Sequence, residues 1–134
     1  MLDEVRRISF PARRDDRGAL VVAELEQGAV PFPVRRLFWQ VGVPVGAVRG
    51  EHAHKTLWEA LIPVAGRLRV VVDDGRARRE EWLDDPAVAL VLPPRVWVEL
   101  HDFAPGTALL VLASAPWDGD DYWRDYDAFL RDVR

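Results

Sequence analysis

At 134 residues, 49% of them apolar, the chain has room for one domain with a hydrophobic core and too little length for a second. The formal net charge of -4 arises from 22 acidic and 18 basic side chains scattered without a like-charge block, which argues against nucleic-acid or anionic-membrane partners. Zero cysteines exclude disulfides, thiolate catalysis and Cys-ligated zinc, so any metal must take His, carboxylate or carbonyl ligands. No stretch approaches the roughly 20 apolar residues that span a bilayer, and Met1 to Arg14 lacks the apolar centre of a secretory signal, so a soluble cytoplasmic protein is expected.

Taken in chain order, short Val-, Leu-, Trp- and Phe-rich runs recur between turn signals at roughly the 8 to 12 residue spacing of an all-β sandwich or barrel. Arg6 to Phe10 reads as an early strand, one that two protomers could exchange, followed by Ala19 to Glu24 and Val34 to Val41. Beyond the stretch Arg49 to Lys55 come Leu57 to Val64 and Leu68 to Asp73, the latter closed by the hairpin signal Asp73-Asp74-Gly75. Ala77 to Leu83, Val88 to Leu92, Val96 to Asp102 and Ala108 to Ala113 follow, separated by the breakers Asp84-Asp85-Pro86, Pro93-Pro94 and Ala104-Pro105-Gly106. The period then changes. Tyr122, Tyr126, Phe129, Leu130 and Val133 form the apolar stripe of an amphipathic helix, with Asp118, Asp120 and Asp121 at its positive end. The expectation is a single domain over 1–134: about nine strands and one C-terminal helix.

Only three histidines exist, and two of them, His52 and His54, leave an extended strand on the same face. Such a pair offers two imidazoles to one ligand. Gly46, His52, His54, Glu59 and Gly66 together carry the spacing that resembles the first cupin motif. Glu59 has opposite strand parity to the histidines and joins them only if the chain turns between Lys55 and Leu57, which the cupin resemblance implies. In the second cupin motif a third histidine follows a turn, but the corresponding position after Pro93-Pro94-Arg95 is Val98. His52, His54 and Glu59 would remain as a two-histidine, one-carboxylate metal set.

The string Arg49-Gly50-Glu51-His52-Ala53-His54-Lys55 is followed by Asp73-Asp74-Gly75, Trp97, His101-Asp102-Phe103, Leu110-Val111-Leu112-Ala113-Ser114 and Asp121-Tyr122-Trp123-Arg124-Asp125-Tyr126-Asp127. This pattern resembles the WxcM-like sugar-nucleotide 3,4-ketoisomerases over nearly the whole chain. The resemblance implies a homodimeric cupin jelly roll that needs no metal or other cofactor. It implies an isomerase that moves the keto group of dTDP-4-oxo-6-deoxyglucose from C4 to C3 in deoxysugar biosynthesis. That chemistry removes a proton from C3, passes through an enediol and returns a proton at C4, so it requires a base with a pKa near working pH.

Histidine meets this requirement. His52 is assigned as the base, and His54 orients the sugar or serves the intermediate; the sequence also allows the two roles to be exchanged. Arg36, Arg49 and Lys55, the only lysine, are candidates for diphosphate or enolate contacts, because cations match those oxygens. Trp39, Trp58 and Trp97 are candidates for stacking, and His101 for supporting the site. Several positions depart from the family: Phe38 stands where a tyrosine is common, and Val98 where a histidine is. Glu59 stands where glutamine is expected. Two further readings therefore accompany the isomerase: a metal-dependent small cupin enzyme using His52, His54 and Glu59, and a non-catalytic sugar-nucleotide-binding cupin.

Overall fold

Which side chains meet in this protein is decided by strand alternation and by where that alternation is broken. The computed structural model describes residues 2–134. Strands β1 (Arg6–Ser9), β2 (Ala12–Asp15), β3 (Gly18–Val21) and β4 (Arg36–Val41) lead to β5 (Arg49–His54), which carries the histidines. β6 (Glu59–Ala65), β7 (Leu68–Asp73), β8 (Arg78–Leu83), β9 (Val88–Leu92), β10 (Trp97–His101) and β11 (Ala108–Ala113) follow. The short β12 (Tyr122–Trp123) and helix α1 (Tyr126–Val133) close the chain.

Two five-stranded sheets form, ordered β1-β9-β6-β11-β4 and β12-β5-β10-β7-β8, with β2 and β3 as a separate hairpin. Inward residues of the first sheet, Leu61, Leu90, Leu92, Leu109 and Val111, pack in one cluster with Leu68, Val70, Val72, Leu83, Val98 and Leu100 of the second. Each such side chain contributes roughly 1.5–3 kcal/mol of burial. The result is the expected all-β jelly roll of the cupin kind, built as two facing sheets rather than one continuously hydrogen-bonded barrel. On the outer face of the first sheet, Phe10, Val30 and Phe32 pack over Ala60, Ile62, Val91 and Leu112. The link between β3 and β4 is anchored there.

Two sequence expectations are corrected. Ala19 to Glu24 shortens to β3, and its partner β2 was not anticipated because Ala12-Arg13-Arg14-Asp15 is exposed throughout and carries no apolar alternation. The C-terminal helix starts at Tyr126, where Asp125 accepts from the Ala128 amide; Tyr122 belongs to β12, paired with His54. Arg6 to Phe10 contains β1, which pairs with β9 of the same chain. No helix among the described residues is long and apolar enough to cross a membrane.

Candidate active site

β5 aims its histidines through a bulge. Across from β10, Val98 faces His52 while Glu99 faces Gly50, leaving Glu51 as the extra residue. Gly50 and Glu51 both take the left-handed conformation, with φ of 78° and 59°. Any side chain at 50 would meet the Val98 carbonyl oxygen at 3.0 Å, so glycine is required for the close approach. Beyond the bulge His52 and His54 point between the sheets, their rings 5.0 Å apart, with Tyr122 of β12 at 5.1 Å and 4.4 Å from them.

His52 Nδ1 lies 3.1 Å from the Gly50 carbonyl oxygen. A carbonyl only accepts, so in the neutral imidazole the proton sits on Nδ1 and Nε2 keeps its lone pair. That is the form a general base needs.

The expected turn follows His54 and is held by Asp121. Its carboxylate accepts from the Thr56 amide (3.0 Å), the Thr56 hydroxyl (2.6 Å) and the Leu57 amide (3.2 Å), while its carbonyl accepts from the Lys55 amide (2.7 Å). The chain thereby passes from the second sheet into β6 of the first, and Glu59 reaches the histidines from the opposite sheet. His54 is left between two carboxyl groups: Nδ1 is 3.4 Å from Asp121 and Nε2 is 3.7 Å from Glu59. Neither ring nitrogen makes a hydrogen bond of ordinary length among the described residues.

The cleft formed here is lined by Phe38, Gln40, Arg49, Gly50, His52, Glu59, Leu61, Val98, Leu100, Val111 and Tyr122. Its volume of about 170 Å³ is below the roughly 300 Å³ of pockets that enclose drug-sized ligands, so it suits one ring rather than a whole nucleotide. Its mouth continues over Val48, Arg49, Trp117 and Arg124, and the Arg124 guanidinium lies 4.0 Å from the Tyr122 ring centre. Behind it, His54 and Arg36 border a second, smaller cavity with Thr56, Asp121 and Tyr122.

Burial drives the site's titrations apart. It lowers the pKa of His52, opposed by the Gly50 hydrogen bond, and lowers that of His54 to about 4, with His52 adding to the effect. It raises Glu59 to about 7, opposed by the Arg36 charge. Near neutral pH the site therefore holds a neutral His52 and a partly protonated Glu59 in the cleft, with a neutral His54 behind them.

These shifts couple to stability in opposite windows. The raised Glu59 contributes stability fully present below 4.5 and lost as pH rises through about 7; the lowered His54 contributes stability present above 6.5 and lost as pH falls through about 4. Glu59→Gln removes a buried group that must ionise in alkali. It is expected to raise Tm by about 5 °C at pH 8, the gain shrinking toward pH 5 in thermal melts; an equal shift at both pH values would contradict this.

Glu59, His52 and His54 were also read as a metal set, and their donor atoms fall within 4.8 Å of one another. Ligands about 2.1 Å from one ion lie between roughly 3.0 Å apart when adjacent and roughly 4.2 Å when opposite, and the 3.7 Å between His54 and Glu59 falls within that range. Val98 supplies an apolar wall in place of a third histidine, so any ion here would rest on two histidines and one carboxylate.

Of the other sequence candidates, Arg49 lines the cleft and its mouth. Arg36 lies behind His54, its Nε donating to the Ala115 carbonyl at 3.3 Å. Lys55 is set apart by parity: its ammonium lies 5.7 Å over Trp123. Trp97 and His101 are corrected for the same reason. Val98 faces inward, so the odd-numbered residues of β10 face outward. Trp97 is buried against Tyr126 and Phe129 and donates to Glu99 at 3.0 Å, and His101 bonds the same carboxylate at 2.9 Å. Trp39 projects from the outer face, and Trp58 packs near Phe32. The sequence reading missed Gln40, Trp117, Asp121, Tyr122 and Arg124. Gln40 was discoverable from its parity with Arg36 and Phe38; the others follow from β12, which is too short to show a period.

Comparison with known proteins matches this architecture. Residues 3–134 match the family model described as FdtA: WxcM-like, C-terminal. The chain is 41% identical over 128 residues to the TDP-4-oxo-6-deoxy-alpha-D-glucose-3,4-oxoisomerase of Aneurinibacillus thermoaerophilus, covering 96% of this chain and 91% of that one. The QdtA 3,4-ketoisomerase of Thermoanaerobacterium thermosaccharolyticum, solved as a variant in complex with TDP-4-keto-6-deoxyglucose, superposes with a TM-score of 0.94 at 34% identity, covering 99% of this chain and 96% of that one. A 3,4-ketoisomerase from Helicobacter canadensis gives 0.91 at 35% identity, with 97% of each chain covered. With the shared fold, the near-complete coverage and the histidine pair of β5, this chain belongs to the FdtA, WxcM-like family.

Proposed function

We propose that this chain is a sugar-nucleotide 3,4-ketoisomerase that converts a dTDP-4-oxo-6-deoxyhexose to its 3-oxo isomer. The observation that carries this is the 41% identity, over 96% of the chain, to a protein named for that reaction. The site supplies the needed chemistry. His52 Nε2, left unprotonated by the Gly50 bond, takes the C3 proton; His54 stands behind it and steadies the intermediate. The sugar ring occupies the cleft, and Arg49 at the mouth meets the diphosphate, for which a guanidinium fork is suited. Phe38 and Val98 make the cleft wall apolar without removing the base. The test is NMR of the sugar on incubation with TDP-4-oxo-6-deoxyglucose: a 3-oxo product supports the reading, and an unchanged sugar overturns it.

The enzyme is further proposed to be a cytoplasmic homodimer. β4 is a free sheet edge, and its outward Leu37, Trp39 and Val41 are 51%, 63% and 61% exposed. Such an apolar strip fits a second copy of the chain better than water. β1, an edge strand whose sheet partner is β9, is the strand suited to exchange. Light scattering should give twice the mass of one chain, and a monomer at micromolar concentration would contradict the dimer.

A further inference from the structure

A neutral imidazole accepts through whichever nitrogen lacks the proton, and for His54 the surroundings choose that nitrogen. His54 is 6% exposed, and neither ring nitrogen makes an ordinary hydrogen bond among the described residues. A buried N–H needs an acceptor, and two carboxyl groups stand near: Asp121 at 3.4 Å from Nδ1 and Glu59 at 3.7 Å from Nε2. The nearer one is also surrounded by donors. Its two oxygens receive the Thr56 amide at 3.0 Å, the Thr56 hydroxyl at 2.6 Å and the Leu57 amide at 3.2 Å, the pattern of an acceptor-only carboxylate.

The backbone holds Asp121 and His54 together independently of that contact. Tyr122 of β12 pairs with His54 of β5, and the Lys55 amide donates to the Asp121 carbonyl at 2.7 Å. The Tyr122 ring lies 4.4 Å from the His54 ring, tilted by 52°, and limits its rotation.

We propose that Asp121 is a positioning residue for the isomerisation, holding His54 with its proton on Nδ1 and its Nε2 lone pair toward the cleft. This deepens the ketoisomerase reading and rests on it. Nε2 faces Glu59, which lines the cleft with His52, so the lone pair is aimed at the side where the sugar sits. An unprotonated Nε2 accepts from a sugar hydroxyl, whereas a protonated one only donates. A carboxylate behind the other nitrogen fixes the tautomer and steadies any positive charge the ring takes up. At 3.4 Å the contact is longer than an ordinary hydrogen bond, and catalytic contacts of this kind commonly tighten only in the complex with substrate.

The test separates this role from Asp121's part in the turn. Asparagine keeps the shape of the side chain. With its carbonyl toward Thr56 it retains two of the turn's hydrogen bonds, and its NH2 group then faces Nδ1. An NH2 group donates, so Nδ1 must accept and the ring proton moves to Nε2. NMR of nitrogen-labelled histidine reads the tautomer directly, with only three histidines to assign. The unaltered protein should show His54 protonated at Nδ1, and Asp121→Asn should show it protonated at Nε2. With TDP-4-oxo-6-deoxyglucose, D121N should lower kcat about 100-fold and change KM less than about threefold. Thr56→Val removes the hydroxyl bond of the same turn and leaves the carboxylate in place. It should keep the Nδ1 tautomer and a kcat within about threefold of the unaltered chain.

His54 protonated at Nε2 in the unaltered protein would overturn the role without any variant. An unchanged tautomer in D121N, turnover of D121N within about threefold, or an equal loss of kcat in T56V would overturn it too. Absence of product from the unaltered chain would instead overturn the ketoisomerase reading and the kinetic role with it, whereas the tautomer is read without substrate.

Discussion

Replacing His52 by Asn is expected to lower kcat about 1,000-fold, within the range for loss of a general base, and to change KM only a few-fold. The expectation rests on one hydrogen bond. Nδ1 donates to the Gly50 carbonyl, so the lone pair is committed to Nε2, and the bulge at Gly50–Glu51 turns that lone pair into the cleft. Burial further favours the neutral ring. Asparagine keeps a polar group in place but has no basic nitrogen. Because His52 is one wall of a cleft rather than part of the packed core, its loss should leave Tm within a few degrees. Steady-state kinetics and a thermal melt of the same preparation separate the two effects. Turnover within about threefold of the unaltered chain would remove His52 from the base role.

A stability effect of comparable weight is expected at a distance from the chemistry. Phe129, fully buried, joins Ala53, Trp97 and Trp123 in the cluster beneath α1. Phe129→Ala should cost about 3–5 kcal/mol, a large share of the roughly 5–15 kcal/mol that holds a domain together. In Tm this is about 10–20 °C. The helix has 8 residues, too few to persist without packing. Its remaining ties include the Trp123 indole to Asp132 at 2.8 Å, the Tyr126 hydroxyl to Asp73 at 2.6 Å, Arg95 to the Asp132 carbonyl at 3.2 Å and Arg134 to the Gly75 carbonyl at 2.6 Å. Loosening α1 also loosens β12 and the turn before it, which place Tyr122 and Asp121 beside His54. KM should therefore rise in this variant at temperatures below its melt, which a substitution confined to the core would not cause. A Tm lowered by less than about 3 °C would contradict the packing account.

The contrast between these two sites explains what was legible beforehand. Strands that are near-continuous apolar runs between turn signals were read closely: Leu68 to Asp73, Val88 to Leu92 and Ala108 to Ala113 were placed at the bounds later observed. The histidine pair was legible because a spacing of two on a strand puts both rings on one face. Glu59 was legible only through the family resemblance, since parity within β5 argues against it and a turn held by Asp121, 62 residues later in sequence, brings it in. Trp97 and His101 illustrate the opposite error. Their residue types suggest ligand contact, but the inward Val98 fixes them on the helix side. Tyr122 fell on a helical period by coincidence, because a two-residue strand has no period to compete with it. Glu51 marks the bulge with a positive φ that residue type alone does not announce.

The central claim is that this cleft performs enediol chemistry on a 4-oxo sugar nucleotide. The direct measurement is NMR of TDP-4-oxo-6-deoxyglucose with the unaltered protein in D₂O. The account predicts a 3-oxo sugar carrying deuterium at C4, with deuterium also entering C3 of the remaining substrate. A sugar that stays chemically unchanged and gains no deuterium at C3 would contradict it.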